Sequence, residues 1–221
     1  MNKIKVCAGS PGGKLPVCNE FFDAFGGLIL PPNSIWRRAI GGSITANLNK
    51  LVDEALAEKC SHLFIVEDDS IFPRDTVQRL LKHNKPVVTG LCRSRVPPFR
   101  PYIYKGMSED GLSWYNLTPE DKGLIKCDAT GMGGILINTK VFKKLTRPYF
   151  RLEYMGEKEF GQDIVFGMSL VKAGIEVYCD TDIEIGHITQ CVMGSQHDED
   201  GWKVTMGVSG MKVNFEQPEL T

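Results

Sequence analysis

Three consecutive carboxylates directly follow an apolar run in this chain. The apolar residues are Leu63–Val66, and the acidic residues are Glu67, Asp68 and Asp69. The apolar run predicts a buried strand of a parallel sheet, and ligands of open α/β sheets bind just beyond the carboxyl ends of strands. Neighbouring carboxylates repel each other, and a hard divalent cation relieves that repulsion. The pattern therefore favours a Mg²⁺ or Mn²⁺ site with a phosphorylated ligand over a merely solvated loop.

A glycine-rich turn precedes another apolar run. Gly131–Gly134 has the pattern G-x-G-G and leads into Ile135–Ile137. The pattern is not a dinucleotide fingerprint, because it comes before a strand, and it lacks the G-K-[ST] ending of a P-loop. Two interpretations are open: a tight turn that requires a positive φ, or a backbone segment that approaches a sugar or a phosphate.

Asp163 and His187 are two further candidates for a functional role, as a proton acceptor and a metal ligand. Asp163 is predicted in the first turn of a helix over 162–173, where the helix dipole favours an acid. At that place it could also accept a proton from an acceptor hydroxyl. His187 lies in the apolar run 185–188. It is either a core histidine or a third metal ligand beside the carboxylates.

A basic segment contains no acid between Thr76 and Ser108 and carries seven lysines and arginines. Within it, Arg93, Arg95 and Arg100 are interleaved with aromatic residues. Such a segment is either a solvated surface or a site for a polyanionic acceptor, since neutralised phosphates add affinity.

Composition limits the classes of protein that fit. The chain has 221 residues, 42% of them hydrophobic, which is enough for one sizeable core. A net charge of −1 provides no global field that attracts nucleic acid or membrane. Seven cysteines without a C-x-x-C pair predict free thiols in a reducing compartment. No signal-peptide core and no apolar run long enough to span a bilayer are present, so we expect a cytoplasmic protein without a membrane span.

The elements that position these residues follow from apolar spacing and end signals. In chain order we predict a strand at 4–8, a helix capped by Ser43, a strand at 63–66, a helix from about Asp75, strands at 87–91 and 135–137, helices at 139–145 and 162–173 with Gly174 as C-cap, and strands at 175–179 and 183–188, the last one. Residues 92–128 predict loops and short β segments, and three prolines within 93–101 exclude regular structure there. Strand–helix–strand alternation predicts an α/β fold with a mostly parallel central sheet flanked by helices, with a small β and loop region.

The order of these pieces resembles the GT-A superfamily of glycosyltransferases, most closely its family 2-like nucleotide-sugar enzymes. The resemblance rests on a strand with a G-S-P loop, the strand that ends in the acidic triplet, G-x-G-G, an Asp at a helix start and a late His, over residues 4–188. It implies a Rossmann-like GT-A domain at 1–188, with a donor half at about 1–92, an acceptor half at about 93–188 and a C-terminal extension at 189–221.

The resemblance also implies roles for the acidic residues. Glu67-Asp68-Asp69 would be the D-x-D motif, with a glutamate in the first position; Asp69 and then Glu67 would bind Mn²⁺ or Mg²⁺, and His187 would complete the metal shell. The family's Glu-Asp pair at a helix start reads Gln162-Asp163 here, so Asp163 alone would be the catalytic base.

The implied contacts to the nucleotide-sugar come from four places in the chain. These residues are Cys7, Ala8, Gly9, Ser10, Pro11, Arg38, Asn47, Asp68, Gly133 and Gly134. The acceptor is predicted to contact Arg93, Arg95 and Arg100 in the basic segment.

The expected activity is transfer of a sugar from a UDP-sugar to an acceptor hydroxyl, with inversion. The acceptor would be a hydroxymethylated pyrimidine in DNA, or else a glycan, a lipid-linked sugar or a protein. Two alternatives stay open at this point. One is a nucleotidyltransferase on a related fold, for which Gly12-Gly13-Lys14 is a weak triphosphate-loop match. The other is a non-catalytic module that binds a metal or a nucleotide-sugar.

Overall fold

The computed structural model describes residues 4–12, 17–108, 111–208 and 210–215, so Gly13 and Lys14 of the weak triphosphate-loop match lie outside the described residues. The elements in chain order are β1 (Val6–Pro11), α1 (Asn19–Gly26), β2 (Ile35–Ala39), α2 (Ile44–Ala57), β3 (His62–Ile65), β4 (Ser70–Ile71), α3 (Thr76–Lys82), β5 (Val87–Cys92), β6 (Ile103–Ser108), β7 (Gly111–Trp114), β8 (Leu124–Cys127), β9 (Ala129–Thr130), β10 (Ile135–Asn138), a 3₁₀ helix (Thr139–Lys144), β11 (Glu153–Met155), β12 (Lys158–Phe160), α4 (Gln162–Lys172), β13 (Val177–His187), β14 (Val192–Asp198), β15 (Gly201–Val208) and β16 (Met211–Phe215).

The central sheet has the strand order β2-β1-β3-β10-β5-β13-β4, with β8 also paired to β13. The strand β1 is parallel to β2 and β3, and β5 is parallel to β13. Between these two groups β10 is antiparallel to both β3 and β5, so β3 and β5 point the same way. The carboxyl ends of β1, β2, β3, β5 and β13 therefore meet at one edge of the sheet.

Helices cover both faces of this sheet, because its strands are apolar on both sides. On one face α2, the 3₁₀ helix and α4 supply buried residues to a shared core: Leu48, Leu51, Val52, Val141, Phe142, Phe166 and Leu170. On the other face α1 and α3 supply Phe21, Ala24, Phe25, Val77 and Leu80. The predicted α/β fold with a mostly parallel sheet flanked by helices is confirmed.

Two predicted helix ends are also confirmed. Ser43 caps α2, and its hydroxyl oxygen accepts a hydrogen bond from the Ala46 backbone N–H at 3.2 Å. After α4, Gly174 has a φ of +66°, the left-handed conformation that glycine adopts at little cost. Helix ends of this kind can be predicted from sequence, because a cap depends only on residues close in the chain.

The C-terminal strands differ from the prediction. The strands expected at 175–179 and 183–188 form one strand, β13, whose pairing with β5 shifts register between Asp180 and Glu184. This irregularity lets a polar stretch interrupt the apolar alternation without ending the strand. The prediction that 183–188 is the last strand is wrong, since β14, β15 and β16 follow as an antiparallel sheet. Every residue of β14 except Asp198 is exposed, so it lacks the apolar pattern of a core strand.

Two observations concern membrane-spanning helices and disulfides. Among the described helices, none has the length and apolar character needed to cross a bilayer. All seven cysteines are free thiols.

One buried side chain ties α2 to the segment before β11. The amide nitrogen of Asn49 donates to the carbonyls of Phe150 at 2.7 Å and Thr45 at 2.8 Å. Its amide oxygen accepts from the Tyr149 N–H at 2.8 Å. Because this segment continues through β11 and β12 into α4, Asn49 helps to fix where α4 begins.

We expect Asn49→Leu to lower the free energy of unfolding by about 2–4 kcal/mol, because it leaves buried backbone groups of Tyr149 and Phe150 without partners. Urea denaturation measures the loss. Lys50→Leu is the control, an exposed change on the same helix, and should shift stability by less than about 0.5 kcal/mol. Equal losses in the two variants would contradict the anchoring role of Asn49.

Candidate functional site

Three of the predicted metal-ligating residues meet at the carboxyl edge of the sheet. Candidate ligand atoms of Glu67, Asp69 and His187 all lie within 4.8 Å of one another. The chain turns after β3, and β4 then pairs with the end of β13, which sets Ser70 opposite His187. The backbone N–H of Ile188 donates to the Asp69 carbonyl at 2.7 Å. This short antiparallel pair joins residues more than a hundred positions apart into one cluster.

The imidazole of His187 is oriented for ligation. Its Nδ1 donates to the Arg93 carbonyl at 2.9 Å, which leaves Nε2 directed at Asp69, 3.4 Å from Oδ2. His187 Nε2 and Asp69 Oδ1 are both buried. Among the described residues neither makes a well-formed hydrogen bond, and Nε2 has only its 3.4 Å ion pair with Asp69 Oδ2. Buried polar atoms are nearly always satisfied, so the pair points to a ligand at this position. Two carboxylates and an imidazole held by a backbone carbonyl suit Mn²⁺ or Mg²⁺.

The ionisation of the cluster is strongly perturbed. Burial and the neighbouring charge of Asp69 raise the pKa of Glu67 to about 7. Burial alone would lower the pKa of His187, but the Asp69 carboxylate, the Cys92 side chain and the Arg93 carbonyl raise it to about 10. Burial raises the pKa of Asp69, and His187 and Arg95 outweigh that effect, so the net direction is downward. A cation at this site must therefore displace protons from Glu67 and His187.

Mn²⁺ affinity should accordingly rise with pH. Glu67 loses its proton as pH rises through about 7, whereas His187 holds its proton up to about 10. Between pH 6 and pH 8 we expect the dissociation constant of Mn²⁺ to fall at least about tenfold. Calorimetry in buffers of different ionisation enthalpy counts the protons released, and Glu67→Gln should release fewer than the wild type. An affinity independent of pH would contradict this ligand set.

Arg95 also belongs to the cluster, although the sequence suggested it for the acceptor. Its guanidinium Nη1 lies 2.8 Å from Asp69 Oδ2. The other two predicted acceptor arginines are placed differently: Arg93 donates to the Phe99 carbonyl at 3.2 Å, and Arg100 is exposed. Sequence spacing gave no signal for the Arg95 contact, because it depends on how the loop after β5 folds back over the sheet edge.

The end of β1 is the part of that strand closest to a ligand at this edge. Cys7 and Ala8 are fully buried within the two cores. Ser10 is also fully buried, and its hydroxyl lacks a hydrogen-bond partner within the described part of the chain. The end of β1 and the following Gly12 lie at the carboxyl edge, whereas Cys7 and Ala8 lie within the strand, and the nucleotide contacts of these residues stay predictions.

The side chain of Asn47, on α2, holds the loop that follows β1 at Gly12. It is 2% exposed, and its amide nitrogen donates to the carbonyls of Gly12 at 3.1 Å and Gly42 at 3.3 Å. Its amide oxygen accepts from the Gly42 N–H at 3.2 Å. Since these bonds occupy the side chain, Asn47 positions the loop.

Arg38 links the predicted nucleotide region to the acidic triplet. Its Nη2 donates to Asp68 Oδ2 at 3.2 Å, and its guanidinium lies over the rings of Phe21 and Phe22 at 5.9 and 5.4 Å from their centroids. Asp68 thus turns toward β2 and α1, away from the cluster that Asp69 joins.

The glycine turn lies against the same edge. Gly134 has a φ of +104°, and its N–H donates to the Ile65 carbonyl at 3.1 Å. A Cβ on Gly133 would lie 3.2 Å from Cys92 Sγ and 3.5 Å from Ser70 Oγ. The turn therefore needs glycine for conformation at Gly134, and at Gly133 the backbone packs closely beneath the cluster.

Asp163 occupies the first turn of α4, as predicted. Its Oδ1 accepts from the Ile164 N–H at 2.9 Å. Burial raises the pKa of Asp163, and backbone hydrogen bonds lower it only in part. The charge of Asp163 in turn contributes to the raised pKa values of Glu67 and Tyr104, so it acts on the same region.

Three aromatic side chains lie beside the cluster of Glu67, Asp69 and His187. Tyr102 and Tyr104 lie 5.5 and 4.6 Å from Trp114, and Tyr102 lies 6.1 Å from His187, all between ring centroids. Trp114 is 39% exposed, which leaves ring surface for a ligand. No sequence motif contains Trp114; its one signal is a place in the region where short β segments are predicted.

Comparisons with known proteins establish the fold. No family model and no curated protein matches the chain. Among solved structures, A197 from STIV aligns at a TM-score of 0.60 and 13% identity, over 98% of this chain and 100% of that chain. GalNAc-T7, solved with UDP, GalNAc and Mn²⁺, aligns at a TM-score of 0.56 and 11% identity, over 86% of this chain. The alignment spans 44% of the GalNAc-T7 chain, less than half of its length. At these identities the likeness concerns the fold alone, and that fold is similar to a GT-A glycosyltransferase fold.

Proposed function

We propose that this chain is a metal-dependent glycosyltransferase that moves a sugar from a UDP-sugar to an acceptor hydroxyl with inversion. The observation that carries the proposal is the convergence of Glu67, Asp69 and His187 at the carboxyl edge of the sheet, where two buried candidate ligand atoms make no hydrogen bond within the described residues. The fold is similar to that of a glycosyltransferase solved with UDP and Mn²⁺. In this proposal residues 1–92 form the donor half and 93–188 the acceptor half, followed by an extension at 189–221.

The donor half would bind the nucleoside diphosphate. Asp69, Glu67 and His187 would hold a Mn²⁺ or Mg²⁺ ion, which when bound neutralises charge on the diphosphate leaving group. The end of β1 would contact the nucleoside, with its loop held by Asn47. Arg38 would orient Asp68 toward the nucleotide, and Gly133–Gly134 would line the donor sugar.

Asp163 would act on the acceptor. A carboxylate with a raised pKa is a stronger base than an ordinary aspartate and accepts the proton of an attacking hydroxyl more readily. The hydroxyl oxygen would attack the anomeric carbon opposite the leaving diphosphate, and the configuration would invert. Because position 162 is a glutamine, Asp163 is the carboxylate at this helix start that would take the proton.

The decisive experiment is a donor screen with Mn²⁺. UDP-glucose, UDP-galactose, UDP-GlcNAc and GDP-mannose are incubated with the protein, and release of nucleoside diphosphate is measured. We expect UDP release from one UDP-sugar, retained in Asp200→Asn, a change at a side chain 82% exposed in the β14–β15 turn. Pyrophosphate release from UTP and a sugar 1-phosphate would favour a nucleotidyltransferase. Tight Mn²⁺ and UDP binding without turnover on any donor or acceptor would favour a binding module.

For the acceptor we propose a hydroxymethylated pyrimidine in DNA, with a glycan, a lipid-linked sugar and a protein as the competing classes. Arg93 and Arg100 would contact phosphates beside the site, and the base would leave the stack to approach Asp163. Duplex DNA binding should weaken steeply with salt, because phosphate contacts release counterions. Absent or salt-independent DNA binding would eliminate this acceptor and leave the other classes for an acceptor screen.

A further inference from the structure

Arg95 and an incoming cation would compete for the same carboxylate, Asp69. The guanidinium lies 2.8 Å from one oxygen of Asp69, and the other oxygen of that carboxylate is buried without a partner in the described residues. Arg95 thus supplies a fixed positive charge beside a carboxylate in contact with His187. A divalent ion on Asp69 would face that positive charge a few ångströms away, and like charges at such a distance repel.

The loop that carries Arg95 is fixed at its base. The Ser94 N–H donates to the Arg100 carbonyl at 2.8 Å, and the Tyr102 N–H donates to the Cys92 carbonyl at 2.9 Å. The Arg93 carbonyl in the same loop accepts from His187. The Arg95 side chain is 47% exposed, so it has room to change rotamer while its backbone stays in place.

A diphosphate offers that side chain a better partner than Asp69. The guanidinium group binds phosphate oxygens in a bidentate fashion, with two charge-assisted hydrogen bonds. A donor diphosphate held by a cation on Glu67 and Asp69 would lie on the solvent side of the cluster. The half-exposed side chain of Arg95 could reach it by a change of rotamer. The Asp69 oxygen that Arg95 leaves would then be available to the cation.

We propose that Arg95 is an exchange residue: it neutralises Asp69 before the metal binds, and its guanidinium then moves to the donor diphosphate, so that metal and nucleotide bind cooperatively. This inference rests on the proposed function. It assigns Arg95 to the donor and leaving group, whereas the sequence suggested the acceptor.

The test is Mn²⁺ and UDP binding by calorimetry, each measured alone and with the other ligand present. For Arg95→Gln we expect Mn²⁺ alone to bind about two- to fivefold tighter, because the competing charge is gone. UDP in saturating Mn²⁺ should bind about 10- to 100-fold weaker, because a bidentate contact is lost. Mn²⁺ should therefore enhance UDP binding less in this variant than in the wild type, a difference that lost packing alone would not produce.

Two further variants separate charge from geometry. Arg95→Lys keeps the positive charge, so Mn²⁺ alone should bind as in the wild type, while UDP binds about tenfold weaker without the planar fork. Lys143→Gln removes a positive charge from an exposed position of the 3₁₀ helix and should leave both affinities unchanged.

The outcomes distinguish this inference from the proposed function. If wild-type protein binds Mn²⁺ and UDP, but Arg95→Gln binds Mn²⁺ no more tightly or UDP no more weakly, the exchange role is wrong and the glycosyltransferase proposal stands. If the wild type binds no Mn²⁺, the metal site itself fails, and the exchange role fails with it.

Discussion

Asp163→Asn should lower the rate of sugar transfer by about 10²–10⁴-fold, the range that removal of a general base produces. The amide has nearly the same shape, and its oxygen can still accept the hydrogen bond from the Ile164 N–H. Binding of Mn²⁺ and UDP should therefore stay close to wild type, because Asp163 is outside the set of ligand atoms around Asp69. The measurement is kcat for product formation beside the two binding constants.

The control for this prediction is Glu157→Gln, which removes an exposed carboxylate from the turn between β11 and β12. It should leave kcat unchanged. A second readout is the acid limb of the rate profile: because burial raises the pKa of Asp163, the rate should fall at a higher pH than an ordinary aspartate would give. A fully active Asp163→Asn variant, or a product with retained anomeric configuration, would remove Asp163 from the role of simple base.

The parts of the site that sequence patterns predicted are those that depend on local context. Glu67 and Asp69 were identifiable because they end an apolar strand, and Asp163 because it begins a helix. His187 was harder, since an imidazole in an apolar run has two interpretations. The pairing of β4 with β13 that brings His187 to Asp69 is a long-range event, and no spacing rule in the sequence encodes it.

The parts that were missed depend on chain segments that meet across the sheet edge. Arg95 reaches Asp69 only because the loop after β5 closes on itself, and Trp114 joins Tyr102 only through the pairing of β6 with β7. The motif match covers the whole first strand, and only the end of that strand lies at the carboxyl edge. The predicted nucleotide contacts of Cys7 and Ala8 stay predictions.

The C-terminal sheet was missed for a compositional reason. The strand β14 has apolar side chains only at its first two positions and is almost entirely exposed. Apolar periodicity identifies strands that bury one face. A strand with little buried surface, such as β14, is therefore not predicted by it. The central sheet was predictable because both of its faces are covered.

Asp69→Asn should abolish stabilisation of the protein by Mn²⁺. The carboxylate is the member of the cluster that contacts both His187 and Arg95, and its Oδ1 makes no hydrogen bond to any residue that the structure describes. An amide carries no negative charge, so the affinity for a divalent cation should fall by more than about 100-fold. At a Mn²⁺ concentration of about 100 times the dissociation constant, the wild type should gain about 2.7 kcal/mol of stability, and the variant should gain almost none.

Thermal unfolding with and without Mn²⁺ measures this difference, and a chelator should return the wild type to its metal-free stability. The matched control is the adjacent acid: Asp68 turns to Arg38, so Asp68→Asn should keep the Mn²⁺-induced stabilisation while UDP binding weakens. Equal stabilisation of wild type and Asp69→Asn would mean that the cation binds elsewhere. Because the diphosphate is expected to bind through the cation, loss of Asp69 should also remove UDP binding, whereas loss of Asp163 should not. That contrast separates the residue that binds the donor from the residue that activates the acceptor.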